Sequence, residues 1–174
     1  MDELLKQLQG SFPAGCSGEL EQMERLFCFE QFDSGTALNL GNQIISEAAK
    51  YHEDLAVRII RLEDQIPVFQ YIGSGKSQRN IDFAMKKANT VLKTGHCSLW
   101  ALAKELTDGG LSNVFRDDSG CLPVGGAFPI FVDGTMKAVV AVSGLHNGLD
   151  HQVVVDAVCK IKHAEVPAFS GVLV

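Results

Sequence analysis

Residues 127–144 read AFPIFVDGTMKAVVAVSG, and the reading of this stretch decides the fold. Two runs rich in aromatic and β-branched residues flank a DGT turn, the pattern of two strands joined as a hairpin. Strands joined so tightly run antiparallel, because parallel neighbours need a crossover of a dozen or more residues. Upstream, LAVRIIRL (55–62) and PVFQYI (67–72) repeat the arrangement around the short EDQI connection. LFCFEQF (26–32) adds a fifth run with the aromatic content of a strand.

Helical patterns fill the spaces between these runs. Leu4, Leu5 and Leu8 suit one face of a short first helix, and ELEQMERL (19–26) adds a helical turn or two. Ser34 is placed to cap a helix running to Lys50, with Ala37, Gly41, Ile44, Ile45 and Ala48 on one face. Gly41 weakens that helix, so it marks close packing against the sheet. After the polar loop GSGKSQ (73–78), Ile81, Ala84, Met85, Ala88, Val91 and Leu92 form a stripe that ends at Gly95. Leu99, Leu102, Ala103 and Leu106 define the next helix, closed by DGG (108–110), and Asp150 is placed to cap the last one. The expected order is α-β-α-β-β-α-α-β-β-α, a three-layer α/β/α sandwich around a five-stranded antiparallel sheet. A single domain is expected, with residues 1–24 as a helical extension, 25–163 as the core and 164–174 as a tail.

Composition narrows the function. The 174 residues are 46% hydrophobic and 21% charged, which suits one globular domain with a full core. A net charge of −6 argues against nucleic acid as a partner. No run approaches the roughly 18 apolar residues of a membrane span. The start, MDELLKQLQG, carries acids where a secretory signal carries a basic head, so a cytoplasmic location is expected. Cysteines at 16, 28, 97, 121 and 159 are odd in number and contain no CxxC pair, which fits neither a disulfide framework nor a zinc site.

Three small constellations carry the candidate chemistry. In TVLKTGHCS (90–98), Gly95 suits the left-handed position just past a helix end, and His96 and Ser98 sit where the next helix needs its free N–H groups satisfied. His96 is therefore either the lock on a helix corner or a neutral imidazole ligand or acid/base. Cys97 beside it suggests a thiolate–imidazole pair, yet adjacent residues at a helix start diverge by about 100° and no third group orients the base. Gly125-Gly126 is either a backbone nest for an anion or a bend into a strand packed closely by a helix. His151, in the first turn of the last helix, is favoured as neutral by the helix dipole and could serve as a ligand or base if it faces a pocket. GSGK (73–76) lacks the spacing of a phosphate loop. Asp117-Asp118 reads as a turn pair, and Lys86-Lys87 as the solvated face of its helix.

FDSGTALNLG (32–41), KKANTVLKTGHCS (86–98), VGGAFPIFV (124–132) and VSGLHNGLDHQVVVDAV (142–158) together resemble the GlcG-like and HbpS-like heme-degrading-domain proteins, nearest to the uncharacterised cytosolic branch of that family. Two positions depart from the branch: Cys97 stands where relatives commonly carry serine, and Val124 where they carry histidine. The resemblance implies a profilin-like fold, a homo-oligomer larger than a dimer, and heme or a related tetrapyrrole as first ligand candidate. His96, Gly125, Gly126 and His151 are the candidate ligand-binding residues. The two rival readings are an enzyme acting through His96 or His151, and an assembly protein with no small ligand.

Overall fold

The computed structural model of the chain describes residues 2–116 and 119–174, so the Asp117-Asp118 pair lies outside the described residues. The second hairpin forms as its turn sequence requires. Strands β4 (Ala127–Val132) and β5 (Thr135–Ser143) are joined by Asp133 and Gly134 alone, both left-handed at φ 49° and 73°. Two successive positive φ values give the turn a twist that matches its strands. Strand β2 (Ala56–Arg61) pairs antiparallel with both β5 and β3 (Pro67–Ile72).

The fifth strand corrects the expectation of a purely antiparallel sheet. Strand β1 (Cys28–Phe29) lies parallel to β4, Cys28 opposite Phe131 and Phe29 opposite Val132, so the sheet is mixed with the order β1-β4-β5-β2-β3. The tight-turn argument governs only strands that share a tight turn, and one hairpin and three α-helices lie between β1 and β4 in the chain. The aromatic run at 26–32 yields only two strand residues. Arg25–Phe27 forms a 3₁₀ turn instead, which puts the Phe27 ring in the core, stacked on Phe128 with centroids 4.3 Å apart.

Among the described residues there are six α-helices: α1 (Asp2–Leu8), α2 (Cys16–Glu24), α3 (Ser34–Ala48), α4 (Gln78–Thr94), α5 (Ser98–Asp108) and α6 (Leu149–Lys162). Alternate residues of β5 divide them between two cores. Ala138, Val140 and Val142 join the main core with α2, α3, α5 and α6, whereas Val139 and Ala141 face Ala84, Ala88 and Val91 of α4. Gly41 does mark close packing: a Cβ there would lie 2.4 Å from the Phe69 ring on β3.

Two caps differ from expectation. Asp33, not Ser34, caps α3 by accepting the Thr36 N–H at 2.8 Å, so Ser34 is the first residue inside the helix. Gly148 occupies the N-cap of α6 in a left-handed conformation, which moves Asp150 into the first turn and frees its carboxylate for other partners. Gly95 ends α4 at φ 76°, as its position implied. Among the described residues, no helix is long and apolar enough to cross a membrane, and all five cysteines are free thiols.

Candidate ligand-binding site

A groove of about 730 Å³ lies between α4, the loop leading into α6 and the C-terminal segment. Phe83, Val124, Leu145 and Leu173 supply apolar walls, and Lys87 and Asp150 supply charge. Its size falls in the range of small-molecule sites, about 300–1,000 Å³. A hollow of about 840 Å³ at the β1 edge is larger, but exposed residues such as Glu30, Asp33 and Asn39 line it.

Lys87 corrects the reading of Lys86-Lys87 as a solvated pair. Lys86 is exposed, but the Lys87 side chain is 4% exposed and donates to Asp150 Oδ2 at 2.6 Å and to the Val142 carbonyl at 3.0 Å. Position 87 falls on the Ala84–Ala88–Val91 stripe, and that helical phase is the signal that predicts its burial. Asp150 also accepts the backbone N–H of Leu145 at 2.9 Å, so one carboxylate ties α4 to the loop before α6. A buried charge of either sign is tolerated when paired and hydrogen-bonded in this way. An ammonium has three donors, and these two contacts account for two of them.

Gly125 and Gly126 form the adjoining wall, and each fits where a side chain would not. A Cβ on Gly126, at φ 122°, would lie 2.7 Å from the Val142 carbonyl oxygen and 2.9 Å from Lys87 Nζ. One on Gly125 would lie 2.7 Å from the His151 Cβ and 2.9 Å from the Val174 carbonyl oxygen. The Gly125 N–H donates to that carbonyl at 2.6 Å.

His151 is fully buried on α6, its ring 4.7 Å from that of Phe128. Neither ring nitrogen finds a hydrogen-bond partner among the described residues. Burial, reinforced by the nearby Lys87 charge, pulls its pKa down to about 3 and keeps the imidazole neutral. An unpartnered polar atom in a core is costly, and a neutral imidazole is the form that ligates metals and heme iron.

His96 and His146 lie in different surroundings. His96 Nδ1 is 2.9 Å from Glu24 Oε2, and its ring stacks on Trp100 at 4.1 Å. The same Glu24 carboxylate accepts the Cys97 N–H at 2.6 Å, so α2 satisfies a backbone N–H at the buried start of α5. The Glu24 hydrogen bond raises the His96 pKa. Ser98 Oγ accepts the Ala127 N–H at 3.1 Å and so joins this corner to the start of β4. Burial pushes the Cys97 thiol well above its ordinary pKa, which removes the thiolate that a Cys–His pair requires. His146 Nδ1 meets Glu53 Oε2 at 2.8 Å on the surface. Thus Gly125 lies against His151 and Gly126 against Lys87, which the sequence reading missed; Lys87 lines the groove, His151 is buried behind it, and His96 belongs to a separate corner. Among the described residues, no three His, Cys, Asp or Glu side chains group as a metal-binding set.

Fold and site define a small α+β protein in which a mixed five-stranded sheet carries a side groove built over a buried ion pair. Residues 32–159 match the family described as haem degrading protein HbpS-like, and the chain belongs to that family. A UPF0303 protein of Paraburkholderia phymatum is 38% identical over 144 residues, covering 78% of this chain and 83% of the relative. The crystal structure of Ybr137w superposes with a TM-score of 0.74 at 24% identity, covering 84% of this chain and 87% of that one. A PduOC–heme complex superposes with a TM-score of 0.62 at 14% identity, covering 71% of this chain and 89% of the other. The two structural likenesses establish a shared fold.

Proposed function

We propose that this chain is a small-ligand-binding protein on a profilin-like scaffold, and that heme or a related tetrapyrrole is its ligand. The observation that carries the reading is His151: a buried, neutral imidazole with neither nitrogen partnered among the described residues, packed against Gly125 beside the groove. Family membership and the heme complex of a structural neighbour support the choice of ligand. The residues present fit such a group. His151, buried behind Gly125, would supply a nitrogen for iron; the remaining Lys87 proton, and the Gly125 N–H once released from Val174, would supply donors for a carboxylate; and Leu122, Val124 and Leu145 would supply an apolar wall. Nothing in this set requires a reaction, so a binding role is the simpler reading than the enzymatic alternative.

Hemin titration followed by the Soret band tests this. The parent chain and His96→Gln are expected to bind hemin alike, and His151→Ala to lose the band. Loss in His96→Gln with retention in His151→Ala would move the ligand to the α2–α5 corner and overturn the groove assignment.

We also propose a homo-oligomer larger than a dimer. The apolar residues of the hairpin at 127–144 are largely covered by the chain itself, so an assembly surface must lie elsewhere. Among the described residues, Leu38, Ile66, Ile72, Leu92 and Val172 are large apolar side chains left exposed, at 55%, 48%, 39%, 44% and 43%. Ile66 and Ile72 bracket β3, the edge strand beside β2. Light scattering that returns a monomer at micromolar concentration would refute assembly.

A further inference from the structure

We propose that residues 172–174 are an internal strap in the groove, an occupant that a ligand bearing a carboxylate must displace. The inference rests on the groove being the ligand site proposed above, and it adds how that site is controlled. Its first support is the hydrogen bond from the Gly125 N–H to the Val174 carbonyl oxygen at 2.6 Å. That oxygen stands in for the acceptor oxygen of a ligand, since one N–H in this position serves a single close acceptor. The second support is the shape of the wall. A Cβ on Gly148 would lie 2.2 Å from the Leu173 carbonyl carbon and 2.4 Å from the Val174 nitrogen, so the absence of a side chain there makes room for a passing backbone.

The strap is weakly attached along the rest of its length. Residues 164–174 form neither helix nor strand. Ser170 is held by Glu19 through its N–H at 2.9 Å and its hydroxyl at 2.7 Å, and Phe169 packs near Phe12 with centroids 6.1 Å apart. Beyond Ser170, Leu173 and Val174 pack partly buried against the main core while Val172 is exposed. Segments with few apolar contacts and few backbone hydrogen bonds open at low free energy. Lys87 remains in place when the strap leaves, because its partners Asp150 and Val142 belong to other elements. Strap and ligand therefore compete for the Gly125 N–H and the apolar wall, and each weakens the other by the same factor.

The test combines hydrogen exchange at the Gly125 amide with hemin titration, using the full chain and its Leu173→Ser variant. Leu173 anchors the strap, so the variant should speed Gly125 exchange and tighten hemin binding by about threefold or more, as expected when a docked, incompetent state is depopulated. In the parent chain, saturating hemin should speed exchange at the amides of residues 172–174. Should Gly125 stay protected in the single variant, Leu173→Ser/Val174→Ser releases the strap more fully. Unchanged hemin affinity once Gly125 is deprotected overturns the strap and leaves the ligand reading standing. Failure of every variant to bind hemin, with the strap shown to be released, overturns the ligand reading and the strap's role with it.

Discussion

Replacing His151 with leucine separates the energetic burden of this residue from its proposed use. In the folded chain its pKa falls from 6.5 to about 3, chiefly because burial penalises the charged ring. The unfolded chain takes up a proton near the ordinary value, and the folded chain resists it. The stability this group contributes is therefore complete above about pH 6.5 and is lost as pH falls toward about 3. Each pH unit inside that window costs about 1.4 kcal/mol, so acidification from 6.5 to 5 removes about 2 kcal/mol. That is a large part of the roughly 5–15 kcal/mol that holds a domain together. Urea unfolding of the parent chain and His151→Leu, at steps from pH 5 to pH 7.5, measures the effect. Other carboxylates and His96 titrate in both proteins, so the difference between the two isolates position 151. At pH 7 the variant should be at least as stable as the parent, because two unpartnered nitrogens, each costing about 1–3 kcal/mol, are gone. Its advantage should grow by about 2 kcal/mol on going to pH 5. A difference that does not change with pH would refute the reasoning.

Three further substitutions test the packing around the site. Gly41→Ala should cost about 1–3 kcal/mol by overpacking, measured by thermal or urea unfolding, and Phe69→Leu in the same chain should restore much of it. Gly95→Ala meets no neighbouring atom, so its loss of about 1 kcal/mol should come from the left-handed backbone alone and leave the helix content of the folded protein unchanged. Glu24→Gln should return the His96 titration, followed by NMR, toward its ordinary value. In the parent chain the Glu24–His96 pair stabilises most below pH 6.5 and fades as pH rises through the elevated pKa, a dependence the variant should lack.

What could be read from the sequence divides along physical lines. Gly95, the Asp133-Gly134 turn and Gly41 were legible because each meets a local requirement: a positive φ past a helix, two positive φ values in a hairpin, or space on a packed face. The direction of β1 was not, since two residues carry no directional pattern and their partner lies far along the chain. Lys87 was misread because charge was weighed above helical phase, although its position on the α4 stripe pointed inward. Asp150 reads as a cap because its neighbours suit a helix start, but the left-handed turn at Asn147 and Gly148 starts the helix at Leu149, early enough to place Asp150 in its first turn. At the groove wall, the paired glycines were visible as a pair. That they face His151 and the last residue of the described chain is a matter of tertiary placement that spacing does not encode.

The carboxylate of Glu24 has a bearing on which residues this fold needs in order to stand alone. The matched family region begins at residue 32, yet the α5 corner inside that region takes its acceptor for the Cys97 N–H from α2, outside it. Leu20, Met23 and Phe27, also upstream, lie buried in the main core. A boundary drawn at the start of the matched region thus cuts through one packed core. A fragment beginning at residue 32 would lose strand β1, the Phe27 ring stacked on Phe128 and the Glu24 acceptor together, and with them one edge of the sheet and the lock on the α5 corner.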